Sequence, residues 1–243
     1  MKKVVAEFFG TMCLVFMGCG TAMLVGCSSA HGSGYLMTAL AFGLSIVAMA
    51  YCIGNISGCH INPAVSLAVL LRRGITFGEF IGYAVAQIFG AFAGIGALYF
   101  IFTTGGVKDM TGGYGANGLA GVGGNPIVGF VVELILTFFF VMTILGVTSK
   151  KANHGSFGGL IIGLTLTFVH IFGIGLTGTS VNPARSIAPA VVNYVLGAEG
   201  ALSGLWVFIA GPFAGAIIAA VVYSILESGS EPVSENESAA EDE

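Results

Sequence analysis

Charge is what this 243-residue chain has least of: 8% of its residues are Asp, Glu, Lys or Arg, against roughly 25% in soluble domains. Eight Lys and Arg cannot line a basic nucleic-acid groove, and so few polar groups leave little from which to build a soluble enzyme cleft. Neither an enzyme nor a nucleic-acid binder is expected. The five cysteines (Cys13, Cys19, Cys27, Cys52, Cys59) all lie in the first quarter with no CxxC or Cys/His spacing, which excludes a disulfide framework and a metal site. No cofactor is called for. What remains is 56% hydrophobic with a mean hydropathy of +0.95, an integral membrane protein.

Seven of the twelve acids fall in residues 227–243, a Ser/Glu/Ala-rich stretch with no Lys or Arg. It is expected to be a disordered, solvated cytoplasmic tail, because it cannot bury enough apolar surface to offset its ordering entropy. The body, residues 1–226, has eight basic and five acidic residues, a net +3. Windows of about 20 apolar residues occur at roughly 4–27, 35–54, 79–103, 127–148, 157–175 and 203–226, predicting six spanning helices. Ala64–Leu71 and Ala184–Val192 are too short to span, and each follows a polar, glycine-containing stretch. They read as re-entrant half-helices. Six of the eight cations form three pairs, Lys2-Lys3, Arg72-Arg73 and Lys150-Lys151. With six spans and one re-entrant segment from each side, all three pairs share a face, which the positive-inside bias makes cytoplasmic together with both termini. The Gly-rich stretch 104–126, with Lys108 and Asp109, becomes an external loop.

The chain also repeats itself. Ala6–Thr11 pairs with Val132–Thr137, each carrying Glu and then Thr four residues on (Glu7/Thr11, Glu133/Thr137). Ser57–Ala64 pairs with Thr177–Ala184, and Gln87–Gly94 pairs more loosely with Gly211–Gly215, at offsets of 126, 120 and 124 residues. The halves, about 1–103 and 127–226, each hold three spans, so they insert with opposite orientation.

Asn62-Pro63-Ala64 and Asn182-Pro183-Ala184 stand at matched repeat positions. Asn is a good helix N-cap and Pro suits the first helical position, so both tripeptides start helices. Helices of about ten residues are about 15 Å long, half of a 30 Å hydrocarbon core. Entering from opposite faces, they meet N-terminus to N-terminus and converge their positive dipole ends. With each Asn oxygen capping its own helix, each amide NH2 is expected to face a lumen. The irregular segments Gly58-Cys59-His60-Ile61 and Gly178-Thr179-Ser180-Val181 precede the caps, and their carbonyls lack helical partners. Such backbone is tolerated in a membrane only where packed in protein or lining a watery cavity.

These paired motifs resemble the major intrinsic proteins, the aquaporin and glycerol-facilitator family, over residues 1–226, and most of all its bacterial water-selective members. The resemblance implies an all-α inverted repeat of six transmembrane helices and two re-entrant half-helices, assembled in lipid as a homotetramer with one pore per subunit. The two columns of carbonyl acceptors flanking two amide donors would then suit water in single file, and the converging dipoles would repel cations and protons, as in pores of that kind. The family's narrow filter corresponds here to Phe42, His170, Thr179 and Arg185, a set that implies water. Glycerol-passing members resemble Trp, Gly and Phe at the first three of these positions and carry Asp where this chain has Ser186. One departure is Ile209, where water-passing members usually have Trp. A facilitator of glycerol or another small neutral solute is the alternative reading. The short N-terminus and compact loops resemble a protein of a bacterial inner membrane.

Single residues also admit plainer readings. A lone intramembrane His or Phe is often a packing residue, so His170 and Phe42 carry weight only together with Arg185, a cation that opposes the dipole of the helix it starts. Glu7 and Glu133 at repeat-related depths raise a rival, a proton-coupled secondary transporter. The expected role is different: each carboxylate accepts hydrogen bonds from the unpaired backbone N–H groups of its half's irregular segment.

Overall fold

The computed structural model describes residues 1–27, 32–152 and 154–228. They form α1 (Lys2–Val25), α2 (Gly32–Ser57), α3 (Pro63–Leu71), α4 (Phe77–Thr104), α5 (Pro126–Val147), α6 (Gly158–Thr177), α7 (Pro183–Val195) and α8 (Val207–Ser228), with 3-10 turns at Ala120–Val122 and Gly155–Phe157. No strand occurs among the described residues. Six helices, α1, α2, α4, α5, α6 and α8, are 20 to 28 residues long and apolar enough to cross a membrane. The protein is a multi-pass, all-α membrane protein. Most spans start and stop within a few residues of expectation. The last begins at Val207, because residues 201–206 form successive turns, and it runs on to Ser228.

Local chemistry explains the helix starts. Thr76 and Glu79 form a capping box on α4, Asn125 caps α5 ahead of Pro126, and Asn62 and Asn182 cap α3 and α7 ahead of Pro63 and Pro183. α2 and α6 both end on a left-handed glycine, Gly58 (φ 87°) and Gly178 (φ 75°), where a side chain would be strained. α3 has 9 residues and α7 has 13, about 14 and 20 Å, which together match one membrane span.

The packing carries the repeat. α1 lies on α4, α5 lies on α8, and α2 crosses α6 between the halves, while α3 packs against α8 and α7 against α4. Each half-helix thus leans on the third span of the other repeat. The outer surface is apolar, with Phe9, Phe89, Phe100, Phe139, Phe168 and Phe172 all exposed, as lipid contact demands. One cation of each basic pair lies on a common face: Lys3 reaches Glu79 (2.7 Å), Arg72 pairs with Glu227, and Lys151 Nζ donates to the Glu227 carbonyl (3.0 Å). Glu227 also accepts from Ser149 (2.6 Å). It is therefore held in the last turn of α8. Residues 229–243, where a disordered tail was expected, lie outside the described residues.

Close helix contact depends on glycine at two related crossings. A Cβ on Gly90 of α4 would strike the Phe8 carbonyl oxygen and lie 3.2 Å from Met12 N. On Gly215 of α8 it would strike the Leu134 carbonyl oxygen and lie 2.9 Å from Phe138 N. Phe8 and Leu134, like Met12 and Phe138, are 126 residues apart, so Gly90 and Gly215 set the offset of the third spans at 125. That corrects the expected 124 by one residue and makes Pro212 the counterpart of Gln87. Because the obstructing atoms are backbone, Gly90→Ala and Gly215→Ala are each expected to destabilise the protein by about 1–3 kcal/mol. Thermal melting in detergent checks this, with Gly96→Ala, which meets nothing within 4 Å, as the variant that does not lower the midpoint.

Candidate functional site

The two irregular segments are strained in the same way. Cys59 (φ 51°) and Ile61 (φ 41°) in the first, and Thr179 (φ 48°) and Val181 (φ 45°) in the second, adopt left-handed backbone that is costly for any residue with a Cβ and most costly for β-branched ones. A buried carboxylate holds each. Glu7 accepts from Ser57 Oγ (2.6 Å), His60 N (2.9 Å), Ile61 N (2.6 Å) and Gln87 Nε2 (2.7 Å). Glu133 accepts from Thr177 Oγ1 (2.6 Å), Ser180 N (2.9 Å) and Val181 N (2.8 Å). Ser57 and Thr177 also take the N–H of the residue two on, Cys59 (3.1 Å) and Thr179 (3.3 Å).

The direction of the carbonyls follows. In a trans peptide the N–H and the preceding C=O point opposite ways. Drawing the N–H groups of residues 59, 60 and 61 toward Glu7 and Ser57 therefore turns the carbonyls of Gly58, Cys59 and His60 away from them. The same argument turns those of Gly178, Thr179 and Ser180 away from Glu133 and Thr177. A hydroxyl contact steadies each loop further: His60 Nδ1 to Ser66 Oγ (3.1 Å) in the first half, Ser180 Oγ to Ser186 Oγ (2.5 Å) in the second.

Asn62 and Asn182 cap their helices, each accepting from the N–H two residues on (Ala64, 2.8 Å; Ala184, 3.1 Å). Their amides do more than face a lumen. Asn62 Nδ2 donates to the Val181 carbonyl (2.6 Å) and Asn182 Nδ2 to the Ile61 carbonyl (2.9 Å). One hydrogen of each NH2 is thus committed across the junction of the halves, and one remains. The Ile61 and Val181 carbonyls, expected among the open acceptors, are each already paired. Pro63, Ala64, Pro183 and Ala184 are buried where the two helix starts abut.

Three cavities lie end to end. One of about 550 Å³ on the basic face is lined by Gly58, Cys59, His60, Val65 and Arg72 among others, and one of about 640 Å³ on the opposite face by Cys27, Thr38, Gly115, Gly178 and Arg185. Between them is a space of about 10 Å³ bounded by Phe42, Ile46, Asn62, Phe140, His170, Asn182 and Arg185. It shares Ile46 and Phe140 with the first cavity and Arg185 with the second. There the Phe42 and His170 rings stack with centroids 4.5 Å apart, and the Arg185 guanidinium carbon lies 4.9 Å over the Phe42 ring. Gly18 leaves room for that ring, since a Cβ there would collide with it. His170 Nδ1 meets the Leu166 carbonyl (2.9 Å). A carbonyl only accepts, so Nδ1 carries the proton and Nε2 is the free position. Nε2 and Arg185 Nε are buried without a protein partner. Of the four expected filter residues, three side chains meet here. The hydroxyl of Thr179, also unpartnered, instead packs against Gly173 of α6.

Part of the glycine-rich stretch expected only as an external loop completes this wall. Residues 109–117 form a strap bound to α7 by Gly113 O to Asn193 Nδ2 (2.7 Å), Gly115 O to Arg185 Nη1 (2.9 Å) and Asn117 Oδ1 to Ser186 Oγ (2.7 Å). Nothing in its glycine-rich composition announced this. Its few polar side chains within an apolar chain, Asp109, Thr111 and Asn117 among them, were the one mark it carried.

The model of the family described as Major intrinsic protein matches residues 1–223. The chain belongs to that family. A protein named Aquaporin Z from Brucella melitensis is 43% identical over 92% of this chain and 96% of its own, and one of that name from Rhodopseudomonas palustris is 40% identical over 93% of each. A protein named Glycerol uptake facilitator protein-like 6 from Lactiplantibacillus plantarum is 42% identical over 94% of this chain and 99% of its own. The solved aquaglyceroporin of Plasmodium falciparum superposes with a TM-score of 0.82 at 22% identity, covering 91% of this chain and 94% of its own, and shares the fold. As a major intrinsic protein the chain is a membrane channel for water or small solutes, not an enzyme.

The carboxylates are the testable supports of the site. Glu133→Ala strands a hydroxyl and two peptide N–H groups beside strained backbone, an expected loss of about 3–5 kcal/mol. Glu7→Ala strands four donors and is expected to lose more. Amide hydrogen exchange resolved at His60–Ile61 and Ser180–Val181 checks the assignment. Protection unchanged in both variants would show that something other than the carboxylate holds these segments.

Proposed function

We propose that this channel passes water in single file and rejects glycerol, ions and protons. The observation that carries the reading is the constriction at Phe42, His170 and Arg185. A space of about 10 Å³ is the size of one water-sized probe, and two stacked rings with a guanidinium over one of them leave no room for a three-carbon polyol. The chemistry of the wall agrees. His170 Nε2 offers an acceptor and Arg185 Nε a donor, which suits a small molecule that both donates and accepts. The guanidinium and the abutting N-termini of α3 and α7 oppose a passing cation. The remaining N–H of Asn62 and of Asn182, between converging dipoles, supports the reading that a water there turns its oxygen toward both amides and cannot relay a proton.

On this reading Asn62-Pro63-Ala64 and Asn182-Pro183-Ala184 form the middle of the pore, the carbonyls of residues 58–60 and 178–180 are its ladder of acceptors, and Glu7 and Glu133 are structural supports, not proton-coupling groups. Phe42, His170 and Arg185 discriminate by side chain, and Thr179 contributes its carbonyl. The basic face is cytoplasmic, the membrane is a bacterial inner membrane, and the chain assembles as a homotetramer. The runner-up is a glycerol facilitator, favoured by the 42% identity to the Lactiplantibacillus plantarum protein of that name.

Stopped-flow light scattering on proteoliposomes decides between them. The wild type is expected to speed osmotic water flow without speeding glycerol uptake, and Phe42→Trp combined with His170→Gly is expected to admit glycerol. Glycerol uptake by the wild type comparable to its water flow would overturn the water-selective reading. Flux driven by a pH gradient would revive coupled transport.

A further inference from the structure

Arg185 faces the constriction without an acid against it. Among the described residues the ion pairs are Lys3 with Glu79 and Arg72 with Glu227, and the guanidinium is held by the hydrogen bond that its Nη1 donates to the Gly115 carbonyl (2.9 Å). Apart from the Phe42 ring beneath it, the placing of this cation therefore depends on the placing of one backbone oxygen in a loop. Helix and strand do not fix that loop, and three of its residues have left-handed backbone: Gly112 (φ 66°), Tyr114 (φ 52°) and Gly115 (φ 69°). Left alone, such a stretch would sample many conformations.

Asp109 removes that freedom. Its Oδ1 accepts from Thr111 N (2.8 Å) and Thr111 Oγ1 (2.7 Å), and its Oδ2 accepts from Tyr114 N (2.8 Å). The Thr111 hydroxyl, having donated to Asp109, accepts from Gly113 N (3.4 Å) and Gly115 N (3.0 Å). Four backbone N–H groups thus converge on one carboxylate, directly or through one hydroxyl, and the hydroxyl's single donor and two acceptor sites are all used. The result presses Gly115 onto α1, where a Cβ would stand 3.0 Å from that of Cys19 and the Cys19 thiol, wholly buried, points at the same Gly115 carbonyl.

We propose that Asp109, acting through Thr111, is a positioning residue for Arg185 and thereby a determinant of which solutes the channel rejects. The arrangement has a chemical logic. A carboxylate in direct contact with Arg185 would fix it equally well but neutralise the charge that repels cations. A carboxylate that instead shapes the loop fixes the guanidinium through a neutral oxygen and leaves its charge facing the passage. The proposal rests on the reading of Arg185 as a discriminating group, so its test needs one readout that does not depend on flow.

Cys19 supplies it, because Gly115 covers it and Cys27 lies half-buried on the neighbouring cavity wall. With the full chain in proteoliposomes, alkylation by a small maleimide is mapped by peptide mass spectrometry, and glycerol and water permeabilities are measured on unlabelled samples. In the wild type Cys27 is expected to react and Cys19 to be protected. Asp109→Ala and Thr111→Val are each expected to raise Cys19 reactivity and the glycerol-to-water permeability ratio about tenfold, the scale of one charge-assisted hydrogen bond. Thr111→Ser, which keeps the hydroxyl, is expected to restore both. Thr111→Val leaves the carboxylate in place and serves if Asp109→Ala does not fold. Exposure of Cys19 with no change in the ratio would overturn the proposal, and so would a Cys19 that stays protected in both variants. Were the wild type itself to pass glycerol, the water-selective reading would fall, while a ratio that still moved with Cys19 exposure would leave the role of Asp109 standing.

Discussion

A peptide group deep in a membrane cannot be left without a partner, and this structure follows from how two carboxylates meet that demand. An unpaired N–H in hydrocarbon costs several kcal/mol, so a chain that breaks its helices halfway across must supply acceptors there. Glu7 and Glu133 supply them. In collecting the N–H groups on one side they leave the carbonyls no choice but the other, and the left-handed residues that this requires are held by the same bonds that make them necessary. The helix caps, the abutting half-helices and the row of acceptors are consequences of that one exchange.

The halves are alike in their supports and unlike at their ends. His60 with Ser66 is matched by Ser180 with Ser186, and Ser57 by Thr177. Gln87, the fourth donor to Glu7, has as its counterpart in the other half Pro212, a residue with no donor to give. The position of Arg185 is taken in the first half by Val65, which lines the wide cavity on the basic face. The strap of residues 109–117, which joins the halves, covers only the side that carries Arg185. The guanidinium and the loop coverage therefore coincide on the side where the narrow space opens into the cavity of about 640 Å³.

Much of this was legible in the sequence because it rests on periodic or paired signals. Twenty-residue apolar windows gave the spans, and Asn-Pro at matched positions gave the helix starts. Glu at the same place in each half pointed to the loops it would serve. What the sequence hid was long-range and backbone-borne. That Asn62 and Asn182 donate to each other's segments is invisible where each cap is judged within its own helix. That Thr179 turns its hydroxyl to Gly173 depends on a left-handed φ that residue type disfavours. The strap was hardest to see, since glycine-rich loops carry no hydrophobic period and its contacts run through carbonyls. The third-span offset slipped by a residue because Gln87–Gly94 was matched to Gly211–Gly215 by similarity of letters, Phe89 with Phe213, and not by the backbone that Gly90 and Gly215 must clear.

The crossed amides of Asn62 and Asn182 make the two halves partners in an isologous contact, of the kind by which a symmetric dimer closes on itself. In a true dimer every residue at such a contact appears twice, and a guanidinium placed beside the axis would be answered by a second at the mirrored depth, doubling the buried charge and its desolvation. Joining the halves in one chain lifts that rule while keeping the contact. The constriction has a symmetric frame and a single cation, Arg185, and so its two sides differ in structure although the contact that joins the halves is symmetric.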